Sequence, residues 1–167
     1  MAQRIAAAAT LRGKFRLRSG QVSDVYFDKY RLESDPILFR AIVLAMKSMV
    51  PQGVDGLAGL ELGGVPLAVM LSQELQVPAY FVRKKAKEYG TCRLAEGGEV
   101  GRRHLVILED VVTTAGQVVA STEELRKLGA IVTHALCVID RDQGGSARAS
   151  AAGLELRSLF RVNEMES

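Results

Sequence analysis

The 167-residue sequence has two cysteines, 5% aromatic residues, little net charge and no long apolar run. Cys92 and Cys137 lie far apart and in no metal-like spacing, which argues against a disulfide framework and against a zinc site. Cys137 sits in an apolar run and reads as a reduced core residue. With 22 basic and 19 acidic residues the net charge is +3, too balanced to point to nucleic acid or a membrane surface. No stretch approaches the ~20 uninterrupted apolar residues that cross a bilayer. The alanine-rich start "MAQRIAAAATLRGKF" has too short an apolar run for a signal-peptide core. These shortages lead us to expect a cytoplasmic protein. Two phosphate fingerprints are missing as well: there is no "GK[ST]" loop and no G-x-G-x-x-G.

What is present suits one folded domain with a substantial core, 48% apolar and 25% charged. "DPILFRAIVLAMKSM" carries a helix start at Asp35 and Pro36, then apolar residues at helical spacing. "VDGLAGLE" predicts a buried strand ending in a glycine turn, after which Pro66 opens a second helix. "VPAYFVRKK" predicts a strand that turns basic. "HLVILED" is nearly all aliphatic, the mark of a strand covered on both faces. "GQVVASTEELRKLGA" predicts a third helix closed by Gly129. "HALCVIDR" and "ELRSLFRV" predict two more strands. Strands alternating with helices imply an α/β, doubly wound, mainly parallel sheet. Before it, "KFRLRSGQVSDVYFD" suggests a hairpin around Ser19 and Gly20, lying outside the main sheet as a hood over about residues 1–34.

The chemistry concentrates in "RHLVILEDVVTTAGQ", residues 103–117. Open parallel sheets bind ligands beyond the carboxyl ends of their strands, and Glu109 with Asp110 falls at such an end. Two adjacent carboxylates can accept hydrogen bonds from neighbouring hydroxyls, as on a ribose, or draw in a hard divalent cation. Thr113, Thr114, Ala115, Gly116 and Gln117 then lead into a helix whose free N–H groups and positive end suit a phosphate. A solvated acid pair followed by a threonine helix cap has the same spacing, so spacing alone leaves both readings standing.

"FVRKKAKEYGT" places Arg83, Lys84, Lys85 and Lys87 within five positions. Such a cluster in a generic protein is a solvated turn. The glycines that follow give it the composition of a mobile lid. Against a substrate with a diphosphate leaving group, preplaced cations would stabilise charge that grows only in the transition state.

Taken together, "FRLRSGQVSDVYFD", "GLELGGVPLA", "FVRKKAKEYGT", "EDVVTTAGQ" and "VIDRDQGG" resemble, in order, the motifs of the type I phosphoribosyltransferases, in the branch that acts on orotate. The resemblance covers most of residues 14–145. It implies transfer of a phosphoribosyl group from 5-phosphoribosyl 1-pyrophosphate to orotate, with magnesium, giving orotidine 5'-monophosphate in pyrimidine synthesis. It also implies a homodimer whose basic loops close over each other's sites. The donor would be held by Glu61, Leu62, Gly63 and Gly64 through backbone N–H groups, and by Arg83, Lys84, Lys87 and Tyr89. Glu109, Asp110, Val111 and Val112, with residues 113–117, would complete that site. Arg83, Lys84, Lys87 and Asp110 would carry the catalysis. Orotate would meet Arg18, Tyr26, Phe27, Thr113 and Arg141, the last through a guanidinium fork on its carboxylate. Magnesium would be held mainly by the donor, so no protein ligand is assigned.

Four positions depart from the common pattern of that branch. Arg18 stands for a lysine, Gly63 for a lysine of some members, and Ala115 for the first glycine of "TTGG". Tyr89 stands where a histidine is usual and supplies no cation at neutral pH. Two alternatives follow: a phosphoribosyltransferase for another base, and a regulator of the same fold with weakened catalysis.

Overall fold

The computed structural model describes residues 2–16, 20, 22–85 and 94–162. Helix α1 (Ala2–Ala9) leads into a two-stranded antiparallel hairpin, β1 (Thr10–Arg16) and β2 (Val22–Phe27), the hood expected from the sequence. A short helix α2 (Tyr30–Ser34) follows, then α3 (Pro36–Lys47). Asp35 starts α3 as its cap: one carboxylate oxygen accepts from the N–H groups of Ile37 and Leu38, each at 3.0 Å. Pro36 occupies the first turn, where its missing N–H costs nothing.

The chain continues through β3 (Gly56–Leu60), α4 (Gly64–Leu75), β4 (Ala79–Val82), β5 (Ala95–Glu96) and β6 (His104–Val112). It ends with α5 (Gly116–Lys127), β7 (Ile131–Asp140), α6 (Gly145–Ala151) and β8 (Glu155–Arg161). One six-stranded sheet results, in the order β5-β4-β3-β6-β7-β8, parallel except between β4 and β5. The doubly wound sheet is therefore as the alternating pattern implies. From β3 the chain winds outward to β4 and β5, whereas from β6 it winds the other way to β7 and β8. The crevice between the ends of β3 and β6 is thus the topological switch point.

The aliphatic run of β6 feeds both faces. Leu105 and Ile107 pack with Val118 and Leu125 of α5 and Ala149 of α6. Val106 and Leu108 pack with Ile42 of α3, Leu67 and Leu71 of α4, and Ile5 of α1. Gly129 closes α5 with a left-handed residue, φ 86°, while the Ala130 N–H returns 3.0 Å to the Leu125 carbonyl. Cys137 is a buried free thiol on β7, its pKa pushed up by burial.

Two expectations change. Helix α4 starts at Gly64, before Pro66, because its first turn must lie against β3 and β6. A Cβ on Gly64 would come within 2.0 Å of the Leu108 carbonyl oxygen. Strand β6 continues two residues past the acid pair, held by pairing with β7 out to Val112 and Asp140. Helices α1, α2 and α6 and strand β5 carry no legible signal. Helices α2 and α6 are too short to show a helical period, the buried face of α1 rests on Ile5 and Ala9 within an alanine run, and a two-residue strand lacks a period.

Candidate active site

Pairing between β3 and β6 ends at Gly59 and Leu108, so beyond them β6 overhangs the crevice with Glu109 and Asp110. Both carboxylates are buried. Glu109 accepts from the Asp110 N–H at 3.1 Å, and Asp110 Oδ1 accepts from the Val111 N–H at 2.7 Å. Burial raises the Glu109 pKa well above the usual carboxylate range, and the hydrogen bond and charge of Asp110 push it the same way.

Across the crevice lies the loop after β3. A Cβ on Gly63 would fall 2.1 Å from Asp110 Oδ2, so the carboxylate occupies room that only glycine leaves. Gly59 and Gly64 likewise let α4 sit directly on the sheet, since a Cβ on Gly59 would meet the Gly64 oxygen at 2.4 Å. The first turn of α4 is thereby aimed at the acid pair. The peptide bond between Glu61 and Leu62 is cis. Leu62 is 63% exposed at the mouth. Glu61 does not offer its N–H to a ligand: that group donates to the Val82 carbonyl at 2.9 Å, and the side chain accepts from the Lys84 N–H. Its work is to tie this loop to the start of the basic segment.

On the other side, Thr113 and Thr114 lead into α5 through Ala115, whose φ of 55° is left-handed. Ala115 is 4% exposed and belongs to the core layer beneath α5, so its methyl group turns away from the mouth. Gly116 begins the helix with the Arg148 guanidinium close by: a Cβ there would lie 3.6 Å from Nη1. Gln117 is turned to its own helix, donating to Ser121 Oγ at 3.0 Å. Val112 is in the core and its carbonyl accepts from the Arg141 N–H at 2.9 Å, while the Val111 N–H is occupied by Asp110. These two valines shape the turn and do not extend side chains into the mouth.

Arg141 is exposed just past β7, beside the end of β6. The turn it stands on is fixed by Asp140, which is buried and accepts from the Asp142 N–H at 3.0 Å and from Ser146 Oγ at 3.1 Å. Tyr26 and Phe27 do not form one platform. They alternate along β2: Tyr26 is 43% exposed with its ring 5.4 Å from that of Phe15, whereas Phe27 packs on the core. Arg83 lies 3.8 Å from Glu96 of β5, and Lys84 and Lys85 are exposed after it. An open cavity of about 610 Å³ lined by Lys84, Lys85 and the C-terminal part of α5 contains neither acid of the pair. Arg18, Lys87, Tyr89 and Cys92 lie outside the described residues.

Sequence reasoning missed three charged residues at this mouth. Lys29 reaches Asp110, with Nζ 3.0 Å from Oδ1 and 2.8 Å from Oδ2. Glu33, one turn further along α2, comes close enough to Asp110 that burial first and then the charge of Asp110 raise its pKa to about 7. Arg148 is the third. A lysine flanked by acids in "FDKYRLES" was the available signal for the first two; Arg148 had none beyond its charge. Among the described residues no group of three or more His, Cys, Asp or Glu side chains is placed so that it could hold a metal ion. No described helix is long and apolar enough to cross a membrane.

Comparison with known proteins gives a consistent result. Residues 44–152 match the phosphoribosyl transferase domain family. Over its full length the chain is 47% identical to an orotate phosphoribosyltransferase from a Nocardioides species, covering 93% of that protein. Among solved structures, orotate phosphoribosyltransferase from Aeropyrum pernix superposes with a TM-score of 0.86 at 31% identity, over 98% of this chain and 94% of that one. The Mycobacterium tuberculosis orotate phosphoribosyltransferase superposes equally well, TM-score 0.86 at 27% identity, over 99% and 97% of the two chains.

Proposed function

The chain belongs to the phosphoribosyl transferase family, and from that premise we propose that it is an orotate phosphoribosyltransferase. It transfers the phosphoribosyl group of 5-phosphoribosyl 1-pyrophosphate to orotate, releasing pyrophosphate and orotidine 5'-monophosphate for pyrimidine synthesis. The bond between C1 of the sugar and the diphosphate oxygen breaks with its electron pair going to the diphosphate. A bond from C1 to a nitrogen of the base replaces it.

The observation that carries the assignment of the site is the flanking of one buried acid pair by two helix starts. The donor has phosphoryl groups at both ends of a ribose. Here α4 begins on one side of Glu109 and Asp110, and α5 on the other. In this reading the pair accepts from the ribose hydroxyls, residues 113–117 hold the 5'-phosphate, and Gly63 and Gly64 face the diphosphate. Arg83, Lys84 and Lys87 stabilise the charge that the diphosphate gains in the transition state, and Tyr89 donates one hydrogen bond to it. Arg141 grips the orotate carboxylate, and Thr113 and Tyr26 contribute to the same base site. Magnesium bound with the donor would supply charge neutralisation to the diphosphate, and no residue of this chain is assigned as its ligand.

The same reading takes the chain as one domain with residues 1–34 as its hood, since Ile5 and Ala9 of α1 are buried in the main core. It takes the assembly as a cytoplasmic homodimer. Pyrophosphate release measured with orotate, donor and magnesium tests the function. Donor binding without release overturns it in favour of a regulator, and faster release with another base moves the acceptor.

A further inference from the structure

Lys29 belongs by sequence to the segment that presents Tyr26, yet its ammonium contacts the sugar-site acid. Its Nζ lies within 3.0 Å of both Asp110 oxygens and 5.3 Å from the centre of the Tyr30 ring. Asp110 Oδ2 is buried and makes no well-aligned hydrogen bond, so the ammonium 2.8 Å away is its close cationic neighbour. Three carboxylates converge here, those of Glu33, Glu109 and Asp110. Burial works against a charged Lys29, but the hydrogen bond and charge of Asp110, with the charge of Glu109, outweigh it and hold the lysine protonated. The carboxylate is therefore pinned between the ammonium and the gap left by Gly63. Without the cation, the buried Asp110 carboxylate would lose its close countercharge and turn out of that gap toward water, which removes an acceptor for a ribose hydroxyl.

We propose that Lys29 is a positioning residue for the sugar donor: through its two contacts it holds the Asp110 carboxylate in the orientation that receives the ribose. The inference rests on the reading of the crevice as a phosphoribosyl diphosphate site. It separates cleanly from a role in merely fastening the hood. A fastener next to Tyr26 would disturb orotate, whereas a residue acting through Asp110 disturbs the donor.

The experiment compares the full-length native protein with Lys29→Met and Lys29→Arg, varying donor and orotate separately. Loss of a charge-assisted hydrogen bond predicts that Lys29→Met raises the KM for the donor about tenfold to a hundredfold. The KM for orotate should stay within about twofold, and Lys29→Arg should recover most of the donor KM. A donor KM unchanged in Lys29→Met overturns the proposal, as does a matching rise for orotate. Should Lys29→Met fail to fold, Lys29→Gln carries the same comparison. Calorimetric titration with phosphoribosyl diphosphate keeps the two readings apart. Native protein that binds it without turnover sinks the enzymatic reading alone, and weaker binding to Lys29→Met still supports the positioning role. Equal binding to both overturns that role, and no binding to the native protein overturns both.

Discussion

The Cα of Gly63 and the carboxylate of Asp110 fill one small space: a Cβ on the first would stand 2.1 Å from Oδ2 of the second. Gly63 has φ −69° and ψ −27°, ordinary helical values that any residue adopts. Its need is for room, not for backbone freedom. Gly63→Ala should therefore fold with little loss of stability while the carboxylate is pushed aside. Donor KM is expected to rise about tenfold or more, the scale of one charge-assisted hydrogen bond. Thermal unfolding and steady-state kinetics on the same sample check this; a large fall in Tm with unchanged KM would place the clash in the fold instead.

Arg141 provides the second test, at the base end of the mouth. Its N–H is anchored on Val112 and its turn on Asp140, so the guanidinium can be removed without disturbing the backbone. Arg141→Ala should weaken orotate by about tenfold to a hundredfold and leave the donor nearly untouched. A drop in donor affinity with orotate unaffected would move the acceptor site elsewhere.

Which of these features could be read beforehand follows from how each is encoded. The acid pair and "TTAG" lie on consecutive residues after a strongly aliphatic strand, so their side of the crevice was legible from local pattern. Asp35, Pro36 and Gly129 act on backbone groups within a turn and were legible for the same reason. Lys29 and Asp110 are 81 residues apart, and only the tertiary fold brings the start of α2 to the end of β6. That Tyr26 and Phe27 point opposite ways follows from strand alternation, but which of them faces the core depends on how the hairpin docks, which alternation alone leaves open. Ala115 stands in sequence only as a departure from glycine; its left-handed backbone and its place in the core layer beneath α5 depend on the packed turn.

Glu33 makes the third prediction, in pH. Its pKa rises from the ordinary 4.5 to about 7 on folding, through burial first and the charge of Asp110 second. Native Glu33 thus keeps its proton where the unfolded chain has lost it. The stability from that neutral carboxyl is complete below pH 4.5, is lost as pH rises toward 7, and changes little above. Glu33→Gln stays neutral throughout, so its advantage over the native protein should grow across this window and level off. Partial exposure limits the gain to about 1–2 kcal/mol. Tm measured from pH 5 to 8 checks it; a constant difference between the two proteins would mean Glu33 is ionised in the fold.

Lys87→Ala tests the basic segment by its effect on rate. If the cation stabilises charge that appears only as the diphosphate departs, turnover should fall about 10²–10³-fold with donor binding much less affected. Equal losses in kcat/KM and in calorimetric donor affinity would reduce Lys87 to a ground-state contact.

Ala115→Gly sets two effects of similar size against each other. Glycine relieves a left-handed alanine, worth roughly 1–2 kcal/mol. It also removes a buried methyl, at about 0.8 kcal/mol, and frees the unfolded chain by about 0.4–1 kcal/mol. The sum should leave stability within about 1 kcal/mol of native. Because the methyl faces the core layer of Val118 and Ala149 and not the helix start, donor affinity should also stay within about threefold. Calorimetry with the donor decides between the two faces. Affinity that climbs tenfold on losing one methyl would mean the alanine side chain stands against the phosphate, and the orientation of the whole turn into α5 would have to be redrawn.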